Sequence, residues 1–235
     1  GEDPRRSWAR GLYPINALRN AALRAAASEY VWLLDADFVP SPGAHEELLE
    51  LARGRLGGGA RREALVVPTL EVRAGVALPA SRAEARALAA AGQAEGFHMT
   101  RFPRGHRATD FQRWFEAGEG QEYQVEYERG FEPYVVCRRA DVPAYDARFR
   151  GYGMNKIVHL YRMATVARFR FVVAASGHFA AASEHPTSDD YRRTYGAARD
   201  PLQAARVQAL FDLAVDEMAL EVRWAEAFAA VLNHV

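Results

Sequence analysis

The sequence predicts an α/β domain with a mixed sheet, and three observations carry that prediction. Tyr30-Val31-Trp32-Leu33-Leu34 places five large apolar or aromatic side chains in a row, which reads as a buried strand of the kind covered on both faces. Apolar runs of strand length alternate along the chain with segments of helical spacing, the order that builds an α/β fold. The 235 residues are 49% hydrophobic and 26% charged, ordinary globular usage. That suffices for one domain of about 200–250 residues, or one domain with an appended segment.

Taken in order, residues 1–12 are polar and irregular, and Tyr13-Pro14 leads into a helix from Ile15 to Ala27. Its apolar face is Ile15, Leu18, Ala22 and Leu23. The 30–34 strand runs into Asp35-Ala36-Asp37, Ser41-Pro42-Gly43 is a turn, and Glu46 to Ala52 a short helix. Gly57-Gly58-Gly59 is a loop without the following Lys-Ser/Thr of a phosphate loop. Leu65 to Val72 reads as one further strand.

Residues 73–120 read as an elaborated insertion. In it, Ser81-Arg82-Ala83-Glu84 is a capping box whose helix Gly92 closes, and Thr109-Asp110-Phe111-Gln112 a second box. Glu122 to Tyr127 alternates as a half-exposed strand, and Tyr134 to Cys137 is a buried one. Gly151-Tyr152-Gly153 is a Gly-rich corner before a helix from Asn155 to Ala167, and Phe169 to Ala174 returns as a strand. Asp200-Pro201 opens a last helix whose stripe of Leu202, Val207, Leu210, Phe211, Ala214, Val215 and Met218 is expected to pack into the core.

Thirty basic residues balance thirty acidic ones, so nothing global favours nucleic acid or an anionic membrane. Arg5-Arg6 and Arg61-Arg62 are solvated surface, and Lys156 is the sole lysine. The single Cys137 rules out an internal disulfide. No stretch approaches the ~20 apolar residues of a membrane span, and no targeting segment opens the chain. Its start at Gly1, without Met, is what an excerpt of a longer protein would show.

The chemistry concentrates at Asp35 and Asp37. Side chains at i and i+2 of an extended chain point to the same side. Two carboxylates ~4 Å apart repel by about 4 kcal/mol at an effective dielectric of 20, and a divalent cation removes that cost. The other reading is a turn whose Asp side chains cap nearby amides. Oxygen ligation suits Mg²⁺ or Mn²⁺, and an added histidine tilts the choice to Mn²⁺.

Three blocks in order, Tyr13 to Asn20 followed by Asp35-Ala36-Asp37, Gly130 to Val136, and Tyr145 to Lys156, resemble glycosyltransferase family 49, the family of LARGE and of a beta-1,4-glucuronyltransferase. The similarity runs from about Tyr13 to about Ser188 and is loosest over 73–120. It implies a GT-A-like mixed sheet flanked by helices over 1–188, with 189–235 a helical segment packed on it. The first nucleotide-binding strands of that fold are expected before Tyr13, where only twelve residues stand.

The resemblance also implies a metal-dependent, inverting transfer of a sugar, glucuronic acid or xylose, from a UDP donor to a glycan hydroxyl in the Golgi lumen or secretory pathway. Asp35 and Asp37 match the family's metal-binding Asp-x-Asp, with His185 as third ligand and His178 as reserve. Asn16, Arg19, Asn20, Asp35 and Lys156 are the implied donor contacts, and Gly151, Tyr152, Gly153 and Asn155 the implied acceptor contacts. Arg19 fits a solvated helix face equally well, and Lys156 a surface ion pair. The general base lies between Asp146 and Glu132.

Two other readings compete. A degenerate domain of the same family would bind a glycan or a partner without turnover. Leu33-Leu34-Asp35-Ala36-Asp37 also fits the opening motif of haloacid-dehalogenase-type phosphatases, which need a later lysine and an acidic pair after an apolar strand. Lys156 is present, but Asp189-Asp190 follows a polar run.

Overall fold

The computed structural model describes residues 13–57, 61–118, 120–186, 188–196 and 199–232. The readings made on residues 1–12 and on Gly58-Gly59 lie outside the described residues. In chain order the elements are α1 (Ile15–Ala25), β1 (Tyr30–Leu33), β2 (Val39–Pro40), α2 (Ala44–Leu56), β3 (Glu63–Val66) and β4 (Thr69–Val72). Then come α3 (Arg82–Ala90), β5 (Ala94–Gly96), α4 (Pro103–His106), α5 (Phe111–Glu116), β6 (Tyr123–Val125) and β7 (Val135–Arg138). The chain continues with α6 (Asn155–Thr165), β8 (Arg170–Val173), β9 (Ala180–Ser183), α7 (Asp189–Thr194) and α8 (Pro201–Leu232).

These elements divide into two compact units. A sheet unit, Ala27–Val142 with Phe169–His185, holds all the strands just named. A helical unit comprises the described residues of Gly1–Ala26, Pro143–Arg168 and Pro186–Val235.

In the sheet unit the strands form two mixed sheets, in the orders β1-β7-β3-β8-β6 and β2-β9-β4-β5. The apolar run from Leu65 to Val72, expected as one strand, serves both sheets. Its first half pairs in parallel with β8 and its second half in parallel with β9. Pro68 stands at the joint: without an N–H it cannot continue a ladder, so the chain changes sheet there. Its carbonyl still accepts from Ala180 N–H at 3.1 Å.

The opening strand also differs from expectation. β1 is an edge strand, antiparallel to β7 and half-buried along its length. A continuous apolar run reads as covered on both faces. Here Tyr30 and Trp32 pack against a cluster of Leu48, Ala52, Leu65, Val136 and Val172, beneath the buried face of α2. Trp32 and Leu34 also pack against a second cluster, Phe38, Phe97, Tyr134, Ala180 and Ala182. That second cluster lies around the Asp35-Ala36-Asp37 turn.

α2 extends beyond the expected Glu46–Ala52 at both ends, starting after Gly43 in the left-handed region (φ +78°). The Ser81 cap forms as expected, with Ser81 Oγ accepting from Glu84 N–H at 3.2 Å. The second box shifts by one residue: Asp110, not Thr109, caps α5 by accepting from Arg113 N–H at 3.1 Å.

In the helical unit α1 is turned from the face its apolar residues suggest: Ile15 and Leu23 are half-buried, but Ala22 is exposed and Arg19 and Asn20 take its place. Leu18 is 45% exposed while Asn16 is fully buried. The reason is that the α1 amides find main-chain partners, described below. Asp200 Oδ1 accepts from Leu202 N–H at 2.9 Å and opens α8, whose Val207, Phe211, Ala214 and Met218 are buried as expected. Leu202 itself is exposed.

Candidate functional site

β1 ends at Leu33, before the aspartates. Asp35-Ala36-Asp37-Phe38 is a turn closed by Phe38 N–H on the Asp35 carbonyl at 3.3 Å, not the extra step of extended chain anticipated from the sequence. The turn side chains are held from two directions. The Tyr134 hydroxyl donates to Asp35 Oδ2 at 2.9 Å from β7's buried approach. Tyr134 is 1% exposed and packs against Phe38, with ring centroids 4.7 Å apart. Burial, then the charges of Asp35, Glu132 and Asp37, push its pKa well up, so it stays a proton donor. On the other side His185 Nε2 lies 3.5 Å from Asp37 Oδ2.

These groups suit a hard divalent cation. Two carboxylates and an imidazole make an oxygen-rich set with one nitrogen. A buried phenol fixing one carboxylate is the kind of outer partner that orients a ligand. Among the described residues, no three His, Cys, Asp or Glu side chains are already gathered into a metal cluster. Asp37 and His185 are the pair that is already together. Glu132, two residues before Tyr134, lies within electrostatic reach of that phenol.

His178, the reserve ligand, is engaged elsewhere. Its Nε2 meets Glu47 Oε2 at 2.6 Å and its Nδ1 meets Ser41 Oγ at 3.2 Å. Gly43 makes room for it, since a Cβ there would sit 3.3 Å from His178 Cε1. Both ring nitrogens fasten the start of α2 to the β8–β9 connection.

The helical unit gathers most of the remaining candidates into one network. Asn16 Nδ2 donates to the Asp146 carbonyl at 2.9 Å and to the Asn155 carbonyl at 3.3 Å. Asn20 donates to the Tyr145 carbonyl at 2.8 Å and accepts from Tyr145 N–H at 2.8 Å. Arg19 Nη1 donates to Asn155 Oδ1 at 2.8 Å, and its guanidinium lies 5.3 Å from the Tyr145 ring centre. Asn155 Nδ2 reaches back to the Gly151 carbonyl at 3.3 Å, and Gly151 N–H donates to the Tyr13 carbonyl at 2.8 Å. The Tyr13–Asn20 and Tyr145–Lys156 blocks are thus two halves of one hydrogen-bonded joint. The amides of Asn16 and Asn20 hold main chain in place.

Asp146 is bound by Arg148 through both carboxylate oxygens, the shortest contact being 2.7 Å, and Arg148 also grips Glu217 of α8 at 2.6 Å. Burial raises the Asp146 pKa, but the hydrogen bonds and charge of Arg148 outweigh it and hold the carboxyl below its ordinary value. A carboxylate held that low is a weak proton acceptor. Tyr152 is 36% exposed and meets Tyr191 edge-on at 5.7 Å, and Lys156 stands in the first turn of α6. The candidates therefore divide: Asp35, Asp37, Glu132, His178 and His185 belong to the sheet unit, and the others to the helical unit.

Two features escaped the sequence reading. Tyr134 reads as one more residue of a buried strand, and nothing local marks its hydroxyl as a partner of Asp35. Arg101, within the loose 73–120 stretch, lies 3.1 Å from Glu71 and 3.5 Å from Glu184, the neighbour of His185.

The family model described as "Glycosyl-transferase for dystroglycan", glycosyltransferase family 49, matches residues 2–180. The chain belongs to this family. It is 37% identical over 205 residues to the xylosyl- and glucuronyltransferase LARGE2 of Rattus norvegicus, covering 86% of this chain and 29% of that protein. Its identity to human LARGE2 is 38% over 205 residues, covering 86% of this chain and 28% of that protein. For human LARGE1 it is 35% over 185 residues, covering 76% and 23%. The chain thus spans less than a third of the length of these relatives.

The mixed sheets with their helices accord with a GT-A-like domain of family 49. Family membership speaks against the phosphatase reading, and Asp189 and Asp190 open α7 only after the polar run Glu184 to Ser188, which separates them from β9. Among the described residues no helix is long and apolar enough to cross a membrane.

Proposed function

We propose that this chain acts in a metal-dependent, inverting glycosyltransferase that moves glucuronic acid or xylose from a UDP donor to a glycan hydroxyl. The observation that supports this most is the Asp35-Ala36-Asp37 turn, with Asp35 steadied by Tyr134 and Asp37 facing His185. Family membership and the relatives' being xylosyl- and glucuronyltransferases, LARGE1 and LARGE2, support the reaction class. Asp35, Asp37 and His185 would hold the ion. When bound, Mn²⁺ or Mg²⁺ supplies charge neutralisation for the departing diphosphate.

In the transfer, the acceptor oxygen forms a bond to the anomeric carbon while the bond from that carbon to the diphosphate oxygen breaks. The acceptor proton passes to a carboxylate. Glu132 is the better candidate for that base, because it shares the sheet unit with the aspartate turn and Asp146 is tied to Arg148. The α1 joint sets the Gly151–Asn155 corner of the helical unit. Family membership supports a secretory-pathway location for this proposed activity.

The test is isothermal titration of UDP into the chain with and without Mn²⁺. Binding that requires the metal and is lost in Asp35→Asn and Asp37→Asn is expected. UDP binding that ignores Mn²⁺, or none at all, overturns the proposal. Metal-dependent binding without transfer to any glycan would leave the degenerate binding domain as the function.

A further inference from the structure

Resting on the metal reading above, we propose that Arg101 is a positioning residue for His185, which makes the turn after β5 a working part of the metal site. That turn is tightly built. Phe97 N–H donates to the Thr69 carbonyl at 2.9 Å, and Met99 N–H to the Gly96 carbonyl at 3.0 Å. Thr100 closes on Glu95 through its hydroxyl at 2.7 Å and its N–H at 3.3 Å. The next residue, Arg101, is therefore delivered in a fixed direction from the edge of the second sheet.

Its guanidinium reaches two carboxylates through the same nitrogen. Nη2 lies 3.1 Å from Glu71 Oε1 and 3.5 Å from Glu184 Oε1. The Glu71 side chain, in the middle of β4, is only 9% exposed and makes a firm base for the arginine. Glu184 is the more exposed partner, its side chain 48% exposed, and its main chain is fastened by donating N–H to the Val72 carbonyl. Held at both backbone and side chain, Glu184 fixes the chain at the residue before His185.

His185 needs that restraint. Its side chain is 59% exposed and stands 3.5 Å from Asp37 Oδ2, so its aim depends on how the chain enters at Glu184. A ligand scattered over rotamers binds an ion more weakly than one already aimed, by the population that is misdirected. Arg101 also answers an electrostatic problem. Glu71 faces Glu95 across the β4–β5 ladder and feels Glu184 as well, and the arginine offsets the repulsion among these like charges.

The experiment uses the full chain, with free Mn²⁺ followed by electron paramagnetic resonance and the His185 ring by NMR in metal-free protein. Arg101→Ala is expected to weaken Mn²⁺ binding about 10-fold or more, the usual cost of losing an outer partner of a ligand. Its His185 ring signals are expected to shift. Arg101→Lys, which keeps the charge, is expected to recover most of the affinity. Glu184→Gln leaves the Glu71–Arg101 pair in place and is expected to move both readouts in the same direction, so it decides the matter if Arg101→Ala does not fold. Wild-type Mn²⁺ affinity together with unmoved His185 signals in Glu184→Gln and in any folded Arg101 variant would overturn the proposal. A wild type that takes up no Mn²⁺ defeats the metal reading itself, and the ring signals then still decide the positioning.

Discussion

Tyr134 and Asp35 stand 99 residues apart in sequence and are joined by one hydrogen bond of 2.9 Å. The phenol comes from a site that is 1% exposed, and the carboxylate from the turn at the end of β1. A donor with so little freedom of its own fixes an oxygen of Asp35 in direction as well as distance. The prediction follows for Tyr134→Phe, which keeps the ring contacts with Phe38 and Phe97 and removes only the hydroxyl. Mn²⁺-dependent UDP binding is expected to weaken by about 10-fold, against a stability change of about 1 kcal/mol. Calorimetric titration and urea denaturation measure the two quantities, and unchanged affinity would show that Asp35 needs no such guide.

Gly153 tests the corner before α6. Its φ is +112°, and an added Cβ would lie 2.8 Å from the Tyr195 hydroxyl and 3.1 Å from Val207 Cγ1. Both the backbone angle and the space exclude a side chain. Gly153→Ala is expected to lose about 1–3 kcal/mol, read as a lower melting temperature. A melting temperature equal to wild type would mean that the corner relaxes freely.

His159 gives a pH prediction. It is buried, stacked on Tyr145 with centroids 3.6 Å apart, and neither ring nitrogen has a hydrogen-bond partner among the described residues. Burial, then the charges of Arg19 and Arg162, lowers its pKa to about 3. The folded value lies below the unfolded one, so between about pH 6.5 and 3 the unfolded chain takes up a proton that the native chain refuses. Stability from this group is therefore complete above the unfolded pKa and is lost as pH falls, by at most about 1.4 kcal/mol per unit. His159→Phe, which keeps a ring on Tyr145, is expected to flatten the fall in unfolding free energy between pH 7 and pH 5. Parallel curves for the two proteins would count against it.

How much of this was legible beforehand depends on whether a feature is local. The caps at Ser81 and Asp200, the strand at β7 and the stripe on α8 are set by neighbouring residues and could be read directly. The α1 face could not, because Asn16 and Asn20, taken as donor contacts, show no local sign of their partners at 145, 146 and 155. The Leu65–Val72 run misled in the same way: Pro68 is visible, but the second sheet that receives the far half is not. At the site, Asp35 and Asp37 announce themselves by repulsion. Tyr134 and Arg101 act through contacts that span the fold, and no spacing encodes them.

The two histidines that follow β8 separate metal binding from scaffolding. His178 is clasped by Glu47 at 2.6 Å and Ser41 at 3.2 Å, with its side chain only 18% exposed. His185 is 59% exposed and faces Asp37. His178→Ala removes a partner from both residues and opens space beside Gly43, so it is expected to destabilise by about 1–3 kcal/mol. Its effect on Mn²⁺ affinity is expected to stay within about 2-fold. His185→Ala is expected to do the reverse: it leaves denaturation within about 0.5 kcal/mol, as exposed substitutions do, and weakens Mn²⁺ binding at least 10-fold. Denaturation and Mn²⁺ titration of the two variants in parallel check this. If His178→Ala is the one that loses the metal, the third ligand is His178, and the Glu47 contact must give way when the ion binds.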